Sequence, residues 1–171
     1  PDSRMNQQIW NHFGESVSFP SPDAPRIIKS ADILIDAIFG TGLEREIGGA
    51  YREWIEIINE CKSASKWAVD IPSGVYTDDS RTPAQAVSCD VTVSMQFGKI
   101  GSFQFPGASL SGRIHIPDIS IPFHAECLKN SDNGNHLGCW LLTSDFVKNL
   151  LPQRPLEAHK GNFGHLFSVC G

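Results

Sequence analysis

Apolar positions along this chain fall into blocks whose spacing changes from one block to the next. Met5, Ile9 and Phe13 recur every fourth residue, the pattern of an amphipathic helix. Three prolines between Ser18 and Pro25 mark a loop. Ile33 to Phe39 is apolar except for Asp36 and stops at Gly40, which predicts a strand covered on both faces, as in a parallel sheet. After Gly48 and Gly49, the residues Tyr51, Trp54, Ile55, Ile58 and Cys61 fall at helical spacing. Trp67 to Ile71 predicts a second buried strand, closed by Pro72, Ser73 and Gly74. Strand, helix and strand in that order form a βαβ unit with a right-handed crossover. Asp90 to Met95 predicts a third strand, and Phe97 to Gly107, rich in glycine, a long loop. Arg113 to Ile119 alternates and contains Pro117, which cannot donate to a ladder, so it predicts an edge strand. Periodicity then lapses over residues 124–139. It restarts where Thr143, Ser144 and Asp145 can cap a short helix over Phe146, Val147, Leu150 and Leu151, ended by Pro152. Gly164 to Gly171 reads as a final strand, the first of a second domain.

Composition narrows the class. The chain has 171 residues, 40% of them hydrophobic, with 15 glycines, a globular makeup. A chain of roughly 150 residues buries about two-thirds of its surface on folding, enough for a proper core. The net charge of -5 and the lack of any Lys/Arg run exclude a general nucleic-acid binder. The best apolar run, Ala31 to Phe39, contains Asp32 and Asp36 and falls far short of the roughly 18 residues that span a bilayer, so no membrane is expected. The five cysteines are odd in number and lack zinc-ligand spacing, which predicts free thiols in a reducing compartment, the cytoplasm or alternatively a mitochondrion.

Two segments share a design that carries chemistry. Asp36 lies near the end of one buried strand, followed by Gly40-Thr41-Gly42; Asp70 lies at the end of another, followed by Ser73-Gly74. In a parallel sheet both ends lie on the same edge, and ligands of open α/β sheets bind outside it. A buried carboxylate needs a cation, a set of backbone amides or a substrate donor. The plain alternative is that each aspartate caps its own turn. The Gly40-Thr41-Gly42 turn is neither a GxGxxG fingerprint nor a P-loop. It is nonetheless an amide-rich turn able to approach a phosphate, with Arg45 beside it for a charge-assisted contact. His159 and Lys160 read as a solvated loop pair, and His12, His115, His124 and His136 show no metal spacing.

Taken together, Asp36-Ala-Ile-Phe-Gly-Thr-Gly-Leu43, Val69-Asp-Ile-Pro-Ser-Gly74, Asp90-Val-Thr-Val93, Phe105-Pro-Gly107 and Asp118-Ile-Ser-Ile-Pro122 resemble, in order, the NAD(P)H-hydrate epimerases, the YjeF N-terminal-type domains. Leu151-Pro-Gln-Arg-Pro155 and His159-Lys-Gly-Asn-Phe-Gly164 resemble the opening of an ADP- or ATP-dependent NAD(P)H-hydrate dehydratase domain. The resemblance implies an α/β fold, a three-layer αβα Rossmann-like sandwich followed by the first elements of a ribokinase-like domain. Its expected boundaries are 1–123 for the C-terminal part of the epimerase domain, 124–142 for a linker and 143–171 for the start of the dehydratase, the chain being an internal fragment. The family's Asn-Asn-Gly-Gly-Asp-Gly motif is not present in these residues.

The implied activity is metabolite repair, the interconversion of R and S hydrated NAD(P)H, or NAD(P)HX, joined to dehydration of the S form with ADP or ATP. The implied potassium ligands are Asp36 and Ser73. The implied substrate contacts are Gly40, Thr41, Gly42, Leu43, Glu44, Arg45, Glu46 and Asp70, with Asp36 or Asp70 as the acid/base. A homo-oligomer is compatible with this reading. Two alternatives stay open: a non-catalytic binding or scaffold module of the same domain type, and a sugar kinase-like enzyme, for which no phosphate-transfer motif is present.

Overall fold

The computed structural model describes residues 2–17, 20–79, 81–82, 85–122 and 141–170, and the chain divides into two compact units, Pro1–Phe123 and His124–Gly171. In the first unit, α1 spans Asp2–Trp10 and buries none of its residues. α2 (Ala24–Lys29) starts with Pro25 in its first turn, where a missing N–H costs nothing. Four strands follow, β1 (Ile33–Asp36), β2 (Ser65–Val69), β3 (Val91–Val93) and β4 (Arg113–His115), all parallel and ordered β1-β2-β3-β4. The register pairs Ile35 with Trp67, Trp67 with Val91 and Val91 with Arg113. Among the described residues β4 lies at the sheet edge, as expected, but it ends at His115, so Pro117 falls outside it.

Between β1 and β2 runs α3 (Ala50–Glu60), entered through Gly49 at φ +58°, a left-handed conformation that favours glycine. Ile55 and Ile58 of α3 and Ile28 of α2 pack with Leu34 and Ala68, so these helices cover the sheet face bearing Leu34, Lys66, Ala68 and Thr92. Thr92 Oγ1 donates to the Ser111 carbonyl at 2.7 Å, which ties α5 (Gly107–Ser111) to the same face. The expectation of strands covered on both faces is not met by the described residues. Ile33 and Ile35 are 59% and 69% exposed and Trp67 is 38% exposed, and all three point to the opposite face.

The segment expected as a loop from Phe97 to Gly107 instead contains α4 (Ile100–Phe103) and leads directly into α5. Its glycines let these short helices pack closely: a Cβ on Gly101 would run into the Tyr76 carbonyl, and one on Gly107 into the Gly101 carbonyl. Helices this short carry too few residues to display a period.

In the second unit, α6 (Ser144–Leu150) begins where Thr143 Oγ1 accepts the Phe146 N–H at 3.2 Å. A 3-10 turn over Lys160–Phe163 is capped by His159, whose Nδ1 accepts from the Gly161 N–H at 3.1 Å. The strand expected over residues 164–171 is not formed by the described residues 164–170, where Leu166, Phe167 and Val169 are exposed. A strand needs a ladder partner for its backbone groups, and no described residue of this unit supplies one. Most of the expected linker, residues 124–140 of 124–142, lies outside the described residues. Among the described residues Cys61, Cys89 and Cys170 are free thiols; Cys127 and Cys139 lie outside them.

Candidate functional site

The C-terminal ends of the parallel strands form one edge, and the chemistry-bearing residues gather there. β1 ends at Asp36 because its own carboxylate takes over the chain: Oδ1 accepts the Ile38 N–H at 3.3 Å. The same carboxylate reaches across to the turn after β2. Ser73 donates its N–H to Oδ2 at 2.7 Å and its hydroxyl to Oδ1 at 2.6 Å. Ser73 Oγ in turn accepts the Phe39 N–H at 2.9 Å and lies 3.3 Å from the Phe39 carbonyl oxygen. Asp36 is 3% exposed and Ser73 1%. Burial pushes the Asp36 carboxyl above its ordinary 3.8, while the hydrogen bonds from Ser73 and Ile38 pull the other way. Among the described residues no salt bridge neutralises it. A carboxylate, a hydroxyl and a carbonyl thus converge in a buried spot with no ion-pair partner among the described residues. That donor set suits a hard monovalent cation, once the Ser73 hydroxyl turns its proton away from Asp36.

Asp70 follows β2 directly and is held at φ +74°, a strained conformation for a residue with a Cβ. Its N–H donates to the Val93 carbonyl at 2.8 Å, locking the strand end to β3. Its Oδ1 accepts the Met95 N–H at 3.1 Å and the Lys99 ammonium, and Lys99 Nζ also donates to the Met95 carbonyl at 3.1 Å. Similar left-handed residues follow the next two strands, Gln96 at φ +59° and Ser120 at φ +63°. Non-glycine residues in this region cluster where structure is held for a purpose, and three of them follow β2, β3 and β4.

The Gly40–Glu46 loop is mostly exposed and is anchored by Leu43, which packs against the main core. No atom lies within 4 Å of a Cβ built on Gly40 or Gly42, so packing does not demand glycine at either. Thr77 Oγ1 donates to the Thr41 carbonyl at 3.3 Å, and between this loop and Tyr76, Thr77, Asp78, Asp79 and Arg81 lies a polar cavity of about 200 Å³. Thr41, Leu43 and Glu44 line it from one side, Tyr76, Asp79 and Arg81 from the other. Arg81 is paired with Asp79 at 2.6 Å and stands 5.8 Å from the centre of the Tyr76 ring.

The structure therefore joins Asp36 to Ser73 and Thr41 to Thr77, whereas Asp70 stands with Lys99. No hydrogen bond among the described residues links Asp70 to Asp36, Ser73 or the 40–46 loop. Lys99 and Tyr76–Arg81 were not visible as site residues in the sequence. The available signal was a lone lysine after Gly98, just past the third strand, opposite an aspartate that needed a partner.

A parallel α/β sheet with buried and strained aspartates at its C-terminal edge, a glycine-bearing loop and a polar cavity beside it is the kind of edge at which open-sheet α/β proteins bind small ligands. Residues 1–101 match the family described as YjeF-related protein N-terminus, and the chain belongs to that family. It is 39% identical over 140 residues to the bifunctional NAD(P)H-hydrate repair enzyme Nnr of Thermofilum pendens, covering 82% of this chain and 25% of that protein. It is 31% identical over 175 residues to the enzyme of the same name from Moorella thermoacetica, covering 99% of this chain and 32% of that one. With the NAD(P)H-hydrate epimerase of Limosilactobacillus fermentum it shares 36% identity over 111 residues, 65% of this chain and 53% of that protein. The chain thus spans between a quarter and about half of these relatives. A crystal structure of the yeast protein ynu0 matches with a TM-score of 0.58 at 17% identity, over 70% of this chain and 50% of that one, a likeness of fold.

Proposed function

We propose that the polypeptide carrying this chain interconverts the R and S forms of hydrated NAD(P)H. The observation that supports it most is the pairing of a buried Asp36–Ser73 cluster with a clamped Asp70 on one sheet edge, in a chain whose relatives are named for this repair. The hydrate bears a hydroxyl on the ring carbon next to the ring nitrogen. Inversion there needs the C–O bond to break and re-form on the other face, with no redox change. The nitrogen lone pair supplies the electrons, the hydroxyl leaves as water after gaining a proton, and water returns to the cation while losing one. A positioned carboxylate can carry that proton.

In this reading Asp70 is the acid/base and Asp36 is not. Both Asp36 oxygens are engaged in a nearly closed spot, whereas the bonds that described residues make to the Asp70 carboxylate fall on Oδ1, so that Oδ2 would serve a substrate group. Asp36 and Ser73, with the Phe39 carbonyl, would hold potassium, whose charge would offset the cost of burying the carboxylate. Gly40, Thr41, Gly42, Leu43, Glu44, Arg45 and Glu46 would embrace the substrate beside the polar cavity. The open face of Ile33, Ile35 and Trp67 is where the third layer of an αβα sandwich would lie. Residues 143–171 would begin a ribokinase-like dehydratase that spends ADP or ATP, all in the cytoplasm.

The test is chromatographic separation of the two epimers after incubation with the complete natural polypeptide and potassium. The two forms should equilibrate without oxidation, and Asp70→Asn should slow this about 10²–10⁴-fold while the protein still folds. Untouched epimers with the wild-type protein would favour a binding module of the same fold.

A further inference from the structure

The ammonium of Lys99 is the only charged partner of Asp70 among the described residues, and it comes from 29 positions further along the chain. The pair is well enclosed, with the Lys99 side chain 13% and the Asp70 side chain 21% exposed. The turn that delivers Lys99 is braced at several points. Gln96, in the left-handed region, donates its N–H to the Pro117 carbonyl at 3.0 Å, and its side-chain oxygen accepts the Ile119 N–H at 2.8 Å. Ser94 Oγ donates to the Phe97 carbonyl at 2.9 Å, and α4 begins at the residue after Lys99. A long, flexible side chain is therefore launched from fixed backbone towards one oxygen of one carboxylate. An ammonium has three N–H donors. Here one goes to Asp70 Oδ1 and one to the Met95 carbonyl, so the side chain bridges the ends of β2 and β3.

We infer that Lys99 is a positioning residue for the proposed reaction: it anchors Oδ1 of Asp70 so that Oδ2 faces the substrate in one orientation. The inference rests on the reading of Asp70 as the acid/base. A surface ion pair would contribute little and could be lost without consequence. This pair instead holds the rotamer of a carboxylate whose backbone is already constrained at φ +74°. Without the ammonium the carboxylate keeps, among the described residues, only the Met95 N–H, and rotation about its side-chain bonds no longer breaks an ion pair. A displacement of about 1 Å at a reacting group costs on the order of 10²-fold in rate.

The experiment compares wild type, Lys99→Met, Lys99→Arg, Asp70→Asn and the double variant Asp70→Asn/Lys99→Met in the complete natural polypeptide. It measures kcat and KM for epimerisation of hydrated NADPH, with thermal melting as the check on folding. Lys99→Met should lower kcat roughly 10²-fold with KM changed by less than about twofold, since orientation and not binding is lost. Lys99→Arg should recover part of the rate. The double variant should be no slower than Asp70→Asn, because the two side chains act as one unit. Should Lys99→Met not fold, Lys99→Gln beside Lys99→Arg carries the comparison, with the charged variant expected to be the faster. Wild-type kcat in Lys99→Met, a change confined to KM, or a double variant slowed by the product of the two single effects would overturn the inference. Wild-type rate in Asp70→Asn would remove the acid/base reading itself, and the role of Lys99 with it.

Discussion

Asp36 pays a desolvation cost that its hydrogen bonds offset only in part, and its hydrogen-bond partners among the described residues are a hydroxyl and backbone amides. If potassium is the missing partner, it binds the folded protein alone, and the stabilisation grows with its concentration by mass action, about 2.7 kcal/mol at a hundredfold excess over Kd. Melting in potassium should then exceed melting in an equal concentration of choline, and Asp36→Ala should erase the difference. A variant that still responds to potassium would place the ion elsewhere.

A second residue near Asp36 has its own pH signature. Burial, with the Asp36 and Asp90 carboxylates nearby, pushes the Cys89 thiol from 9.0 up to about 12, against a smaller pull from Lys66. The folded thiol therefore keeps its proton between these values while the unfolded one loses it. Native protein binds more protons there, so this contribution to stability is complete below pH 9.0 and is lost as pH rises towards 12. The limiting slope is about 1.4 kcal/mol per pH unit. Urea unfolding at stepped alkaline pH should show a steeper loss for wild type than for Cys89→Ala. Parallel curves would mean that Cys89 titrates alike in both states.

At the scale of elements, long periodic segments were legible and contacts between distant segments were not. α3 was readable because Trp54, Ile55 and Ile58 repeat on one face, and that face is the one that packs. β1 begins where its apolar run begins but ends three residues before that run does, since Ala37 to Phe39 are apolar while the strand is ended by the polar grip of Asp36 on the Ile38 N–H. β2 was found, but Trp67 was expected inside and stands on the uncovered face; an apolar run reports affinity for burial, not whether a covering element is present. α4 and α5 went unseen because each lasts scarcely more than a turn, and their position depends on glycines fitted against the Tyr76 and Gly101 carbonyls. The same limit hid Lys99. Asp36, Asp70 and Ser73 could be picked out because each lies at a strand end beside a turn. The partner of Asp70 is 29 residues away and becomes a neighbour only once β2 and β3 lie side by side.

At the scale of the whole molecule, two compact units divide at Phe123 and His124. The first holds the sheet, both aspartates, the 40–46 loop and Lys99; the second holds α6 and the capped 3-10 turn. Within the first unit the site is cross-braced over long sequence distances, Asp36 to Ser73, Thr41 to Thr77 and Asp70 to Lys99, so opening any one loop there has to break contacts made by another. From the division onward, hydrophobic periodicity in the sequence lapses over residues 124–139, where Ser131-Asp-Asn-Gly-Asn135 offers nothing for a core. Proteolysis requires a stretch of backbone to leave its hydrogen bonds and enter the protease, so it starts where the fewest contacts resist. Brief digestion of the complete natural polypeptide with subtilisin should therefore cut first between residues 124 and 142. The fragment containing residues 2–122 should persist longer and keep its far-ultraviolet circular dichroism. N-terminal sequencing and intact mass of the earliest fragments identify the cut. Early cleavage between Gly40 and Ser73, with residues 124–142 protected, would mean that the site loops are less well braced than their hydrogen bonds imply and that the division between the units lies elsewhere.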